Sequence, residues 1–168
     1  IPMSSGTQTL TRPISSGVLP RRIWCVIVDD TARSCNHNLN PFNFQHFNIN
    51  ELYLKVNSVP VPQKHFTPNF ASNLYKECYF SLFSQMGCMF DDCGMDISYD
   101  DYKNGHMILC FDLTADMEDG DHRELRKTGD VILDIQLNKS LDAAVDILCI
   151  QEFDTVVEIT KDNKMFIQ

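Results

Sequence analysis

The chain lacks the sequence patterns that mark the common classes of catalytic centre. Its seven glycines are dispersed, so no glycine-rich run exists to cradle a phosphate group. No G-x-S-x-G nucleophile elbow occurs, and the five histidines never pair in the spacing that a metal-dependent β-barrel enzyme needs. We therefore identify no catalytic, cofactor-binding or metal-binding residue, and expect a protein that is not an enzyme and that works through its surfaces.

Basic residues and long apolar runs are also scarce. The sequence carries 14 Lys and Arg against 23 Asp and Glu, which gives a net charge of -9. Nucleic-acid affinity depends on clustered cations, so this composition argues against a direct nucleic-acid partner. No apolar stretch approaches the ~20 residues that a membrane-spanning helix requires, so we expect no membrane insertion. Because the sequence begins with Ile1 and not with Met, we expect a fragment or a processed product of a longer chain.

Cysteine is present in an odd number, seven, and three of these residues lie inside apolar, strand-like runs. Cys25, Cys110 and Cys149 are therefore predicted to be buried free thiols, which implies a reducing compartment such as the nucleus or cytoplasm. The alternative is a metal site formed by Cys78, Cys88 and Cys93. Their spacings match no zinc motif, and no histidine follows at a ligand spacing.

The apolar pattern predicts an all-β protein with a single domain spanning residues 1–168. Short segments rich in β-branched and aromatic residues recur between turn residues, which is typical of a β-sandwich or barrel with about eight strands. Residues 22–29 are almost continuously apolar and are predicted to be a central strand. Residues 131–137 alternate and are predicted to be half-buried. The other predicted strands are 8–14 at an edge, 47–56, 106–113, 145–153, and a closing hairpin of 156–159 with 165–167.

Two segments depart from the β pattern, so one or two short helices are expected in the loops between strands. Residues 72–86 place Leu74, Cys78, Leu82 and Met86 at steps of four, which predicts an amphipathic helix that ends before Gly87. Ser98 and Asp101 form a possible capping box for a short helix over 99–104. Residues 57–69 contain three prolines and are predicted to form an extended arm.

The acidic stretch from Asp112 to Asp121 is the obvious candidate for a cation site, since calcium takes several oxygen ligands from one flexible segment. The spacing fails the EF-hand pattern, because placing Gly120 at the sixth loop position makes Ala115 the first ligand. We favour a solvated acidic loop without a bound ion. Replacing Asp116, Glu118 and Asp119 by neutral amides should then leave the melting temperature almost unchanged.

Three longer stretches carry a family resemblance, namely residues 6–29, 40–62 and 102–159. Their most specific pieces are NPFNF at 40–44, FDLT at 111–114 followed by GDH at 120–122, and EFD at 152–154. Together they resemble the C-terminal half of the double jelly-roll major capsid proteins of Polinton/Maverick elements and adinto-like viruses. The stretch 85–97 departs from that pattern by being rich in Cys and Met, and residues 117–119 make the loop more acidic than usual.

The resemblance implies an eight-stranded antiparallel jelly-roll sandwich, the second of two in a longer polypeptide. It implies a structural capsid protein of the virion, in which the preceding jelly-roll domain, two further copies in a homotrimer and other capsid proteins are the partners. Large apolar residues on loops become candidates for contacts between domains or subunits. These candidates are Phe42, Phe44, Phe47, Phe66 and Phe70.

Two other interpretations stay open. The five phenylalanines could fold back on their own sandwich. The domain could also be a lectin-like or other ligand-binding β-sandwich, since jelly rolls host carbohydrate sites as readily as shells. A lectin site would need exposed aromatics grouped with Asp or Asn at one loop end, and the only tryptophan, Trp24, lies in a predicted central strand.

Overall fold

The computed structural model describes residues 1–34, 36–90, 94–114, 125–155, 157–162 and 164–167, with the backbone alone at 166 and 167. Within these ranges the chain forms ten strands and three short helices. The strands are β1 (Pro2–Met3), β2 (Thr9–Val18), β3 (Arg22–Asp29), β4 (Ile49–Val56), β5 (Val59–Phe66), β6 (Leu109–Asp112), β7 (Thr128–Leu137), β8 (Val145–Glu152), β9 (Val157–Ile159) and β10 (Met165–Ile167). The helices are α1 (Asp30–Arg33), α2 (Lys76–Gln85) and α3 (Tyr99–Lys103).

Eight of the strands form two antiparallel sheets of four. The β3 sheet has the order β1-β8-β3-β6, and the β4 sheet has the order β2-β7-β4-β5. The pairing of these eight strands is nested: β1 pairs with β8, β2 with β7, β3 with β6 and β4 with β5. The first of the eight therefore pairs with the eighth, and the middle two pair with each other. The predicted all-β class is confirmed, and β9 and β10 form the predicted closing hairpin.

One hydrophobic core lies between the two sheets. The β3 sheet contributes Ile23, Cys25 and Ile27 from β3, and the β4 sheet contributes Leu54 from β4 and Leu133 from β7. Each of these side chains is at most 2% exposed. Burial of apolar surface on this scale is the main stabilising contribution in a domain of this size.

The alternation predicted for residues 131–137 is confirmed, with odd-numbered positions buried and Gln136 exposed. In β4 the inward residues Ile49 and Leu52 are three apart, which a regular strand would place on opposite faces. The pairing with β7 shifts register between Ile49 and Glu51, and this irregularity turns both side chains inward.

Three elements differ from the sequence prediction. The segment 57–69, predicted to form an extended arm, is extended, but as β5 it pairs with β4. Within the described residues β5 is the outermost strand of its sheet, where Pro60 and Pro62 are tolerated. The helix predicted from residue 72 begins only at Lys76, because the backbone of Leu74 pairs with that of Asn69 in a non-helical bridge. The Leu74 side chain is 67% exposed. Helix α1 was not predicted; the Asp29 side chain caps it by accepting from the backbone N–H of Thr31 and Ala32.

The second predicted helix is confirmed. The Ser98 side chain accepts from the backbone N–H of Asp101 at the start of α3, and Gly105 follows its end with a φ of 119°. Tyr102 of α3 is fully buried, and its hydroxyl donates to the carbonyl of Ile108 at 3.0 Å. Helix α3 thus anchors the chain just before β6.

Candidate functional site

Asp112, the first residue of the predicted acidic loop, belongs to a buried ion pair. Its Oδ2 lies 3.3 Å from Nε of Arg22, while a terminal guanidinium nitrogen of Arg22 lies 3.7 Å from Oε2 of Glu152. Oδ1 of Asp112 accepts from the backbone N–H and the hydroxyl of Thr114. The Asp112 side chain is not exposed to solvent at all, so it is a structural residue and not part of a solvated loop.

The other acidic residues proposed for that loop, from Asp116 to Asp121, lie outside the described residues, as does His122. The expectation about a cation there stays a prediction. Among the residues that the structure describes, no group of three or more His, Cys, Asp or Glu side chains converges in a way that could hold a metal ion.

The described cysteines are in two states. Cys25 and Cys110 are buried free thiols, as predicted, and Cys78 is one as well. Cys149 is free, as predicted, but only partly buried. Cys88 is disulfide-bonded, which the sequence analysis did not predict. Its sulfur is therefore not an available thiolate for the alternative zinc site. Burial raises the pKa of both Cys78 and Cys110 to about 12, so these two thiols stay protonated and unreactive near neutral pH.

The outward face of the β4 sheet carries a row of polar cross-strand pairs. Asp134 on β7 accepts from the Lys55 ammonium at 2.5 Å and from the Thr11 hydroxyl at 2.5 Å. Partial burial disfavours the Asp134 carboxylate, but the hydrogen bonds from Lys55 and Thr11 outweigh it and hold the pKa of Asp134 below its usual value. These groups satisfy one another across three strands.

The same row continues toward the sheet edge through an aromatic stack. The ring of His65 lies on the ring of Tyr53 with centroids 3.6 Å apart, and His65 Nδ1 lies 2.5 Å from a carboxylate oxygen of Glu51. The Lys55 ammonium lies 5.3 Å from the Tyr53 ring centroid. The Tyr53 ring is thus already engaged by its neighbours within the protein. Trp24, on the other sheet, lies half-buried in β3.

The five candidate contact residues are placed at very different depths. Phe66 is 6% and Phe70 2% exposed, and both belong to the chain's own core. Phe70 stacks on His46 with ring centroids 4.1 Å apart. Phe47 packs partly buried against the core, and Phe44 is half-buried. Phe42 is 72% exposed, so of the five it alone presents most of its ring to solvent.

The terminal hairpin, predicted from the sequence as a structure but not as a site, carries a set of exposed apolar side chains. Val157, Ile159 and Met165 are 46%, 66% and 64% exposed. Ile159 is the register partner of Met165, and Val157 is two residues from Ile159, so the three side chains lie on one face. We call this surface the hairpin face. The alternation of apolar and polar residues in 157–159 is the signal that could have revealed it.

A two-stranded hairpin is marginally stable in water unless its apolar side packs against something. The three apolar side chains of the hairpin face are exposed to solvent in the isolated chain. The arrangement suits a contact with another polypeptide better than it suits chemistry on a small molecule.

Comparisons with protein-family models, with curated proteins and with solved structures find no match for this chain. None of the helices within the described ranges has the length and apolarity needed to cross a membrane.

Proposed function

We propose that this chain is the second jelly-roll domain of a double jelly-roll major capsid protein. The observation that carries the proposal is the strand order, β1-β8-β3-β6 facing β2-β7-β4-β5. A jelly roll is a long antiparallel hairpin, four strands in each arm, rolled so that its strands fall alternately into two sheets. The nested pairing of the eight strands supports this arrangement, and the sequence resemblance points to the same family.

The exposed surfaces support a role in assembly. A shell protein must bury parts of its surface against neighbours, and permanent interfaces of this kind are more apolar than ordinary surface. The hairpin face and Phe42 offer apolar side chains that are 46–72% exposed in the isolated chain. We propose the preceding jelly-roll domain, two further copies in a trimer, and other capsid proteins as the partners that cover them, in an icosahedral shell of the virion.

The test is the association state of the longer chain in which this domain follows another jelly roll. Sedimentation velocity should show a trimer, and electron microscopy of the same sample should show capsomers with a pseudo-hexagonal outline. The double variant Ile159→Ser, Met165→Ser should weaken the trimer. Phe80→Ser is the matched control, because it removes another apolar side chain of comparable exposure, 51%, from a different element.

A longer chain that sediments only as a monomer at high concentration would refute this function. Specific micromolar binding to members of a glycan array would instead favour a lectin-like sandwich, and a blank array would leave the capsid function ahead.

A further inference from the structure

Two free thiols face each other across the centre of the β3 sheet. Cys25 on β3 and Cys149 on β8 are register partners in the antiparallel ladder, and their sulfur atoms lie 3.7 Å apart. Register partners in such ladders have Cα atoms about 4.5–5.5 Å apart, which falls inside the range that a disulfide spans. A small rotation about the side-chain bonds is enough to bring the sulfurs to bonding distance.

The pair also has a route to solvent on one side. Cys25 is 1% exposed, whereas Cys149 is only partly buried and lines an open groove of about 530 Å³. The groove lies between the edge of β2, at Pro13 and Ile14, and the stretch of β8 beyond its short pairing with β1. A small oxidant can therefore approach Cys149 first.

The electrostatics of the pair favour the same order of reaction. The hydrogen bond between the two thiols lowers the pKa of Cys149 and raises that of Cys25 well above its ordinary value. Since the thiolate is the attacking species in disulfide exchange, Cys149 is the better nucleophile of the two. Cys110 lies on the neighbouring strand β6, but its register partner on β3 is Trp24 and not a thiol.

We propose that Cys25 and Cys149 form a redox-responsive pair, which a small disulfide such as glutathione disulfide converts into a cross-strand disulfide within the β3 sheet. The Cys149 thiolate attacks one sulfur of the oxidant, giving a mixed disulfide and one glutathione thiolate. The Cys25 sulfur then attacks Sγ of Cys149 and displaces the second glutathione. Two protein thiols are oxidised, one disulfide is reduced to two thiols, and the two protons pass to the released glutathione molecules.

The product would join strands that are far apart in the chain, since the two cysteines are separated by 124 positions. A disulfide that closes so long a loop restricts the unfolded chain strongly, so the oxidised domain should resist unfolding better than the reduced one. This consequence does not depend on whether the domain belongs to a capsid.

The experiment is oxidation of the full chain with glutathione disulfide, followed by tryptic digestion without reduction and mass spectrometry. Residues 23–33 and 140–161 are tryptic peptides with one cysteine each, so the pair appears as one linked species lighter by two hydrogen atoms than the separate peptides. The melting temperature should rise by roughly 5 °C or more and return on mild reduction. The variant Cys110→Ser should give the same linked species, and the same rise in melting temperature on oxidation, as the unmodified chain.

Cys149→Ser should abolish both the linked species and the rise in melting temperature. The proposal is overturned if the unmodified chain stops at a stable glutathione adduct on Cys149, if Cys25 links to Cys110 instead, or if both thiols remain free after prolonged oxidation. These outcomes are read from the unmodified chain, so they stand even if a variant fails to fold.

Discussion

Asp112 is a charged residue in a buried environment. Its side chain has no exposure to solvent, and that of Arg22, with which it pairs, has 8%. A buried pair of this kind adds little net stability compared with apolar side chains, but removing one partner leaves the other buried charge with weaker compensation. From the sequence, Asp112 was predicted to begin a solvated loop, because nothing in the segment FDLTAD distinguishes a buried carboxylate from an exposed one.

We expect Asp112→Asn to lower the free energy of unfolding by about 3 kcal/mol, because Asn keeps the shape and the acceptor for Thr114 but removes the negative charge beside Arg22. Urea unfolding measures the change. Asp142→Asn is the matched control, since Asp142 pairs with Lys139 at 2.8 Å on the surface with 85% of its side chain exposed. An equal response from the two variants would show that burial is not what makes Asp112 important.

Gly105 is a second residue whose identity the structure explains. Its φ is 119°, and a Cβ there would lie 2.5 Å from Oδ1 of Asn43, which accepts a hydrogen bond from Gln45. Gly105→Ala should therefore lower the unfolding midpoint more than Gly6→Ala, where φ is 81° but the space is open. Both variants strain the backbone, by roughly 1–2 kcal/mol on the usual scale. Chemical denaturation of both variants separates the cost of the contact with Asn43 from the cost of backbone strain. Similar decreases in the unfolding midpoint would show that the contact with Asn43 has no effect.

At the scale of elements, the turn between β4 and β5 lies at the innermost pair of the nested arrangement. Asn57 and Ser58 connect the strands with φ values of 49° and 69°, as in a type I′ turn. Asn57 also holds β7, because its Oδ1 accepts from the backbone N–H of Asp130 and its own N–H donates to the carbonyl of Asp130. Asn is well suited to the first position, whereas Ser is strained at the second.

Ser58→Gly should accordingly raise the free energy of unfolding by about 1 kcal/mol, since glycine adopts the left-handed region without strain. Ser58→Val should lower it, because a β-branched side chain is disfavoured at this φ. Thermal unfolding of the three proteins measures the order. If the glycine variant melted below the unmodified chain, the turn would have a role for the serine hydroxyl that its geometry does not reveal.

Sequence reasoning succeeded where one local pattern decides the outcome. The bounds of β3, the alternation in β7 and the Ser98 cap of α3 all follow from apolar periodicity or capping chemistry. It failed where tertiary pairing overrides local preference. The prolines of β5 suggested an extended arm and not a paired strand, because only the neighbouring strand reveals which edge of β5 is paired. The irregularity in β4 likewise depends on its partner.

The candidate site was less predictable than the fold. Phe66 and Phe70 were grouped with Phe42 on sequence position alone, although the first two are buried in the chain's own core and the third is exposed. Exposure of an apolar residue depends on which elements cover it, and no local pattern around these three phenylalanines encodes that. The Cys25 and Cys149 pair likewise depends on the register of two strands at opposite ends of the chain.

At the scale of the whole molecule, net charge and exposed apolar surface act in opposite directions. The charge of -9 repels copies of the chain from one another, while the hairpin face favours their association. Screening shortens the range of the repulsion from about 10 Å at 0.1 M salt to about 3 Å at 1 M. The apolar contact is not weakened by salt in this way.

We therefore expect the isolated chain to self-associate despite its charge, and to do so more strongly as salt increases. Sedimentation velocity at low and high salt should show a rising weight-average mass, and Ile159→Ser with Met165→Ser should reduce it at both. Association that weakens with salt would mean that ionic contacts, and not the hairpin face, hold the copies together.

The nesting of the strand pairs has a consequence for the order of events during folding. Val56 meets Val59 across a single turn, whereas Pro2 must find Asp146 near the other end of the chain. Closing a long loop is slower than closing a short one, and domains with many distant pairings fold slowly. Pairing should therefore spread outward from the β4–β5 turn and finish at the two ends. Pulsed hydrogen exchange during refolding should protect amides of β4 and β5 first and those of β1 and β8 last, and the reverse order would contradict this sequence of events.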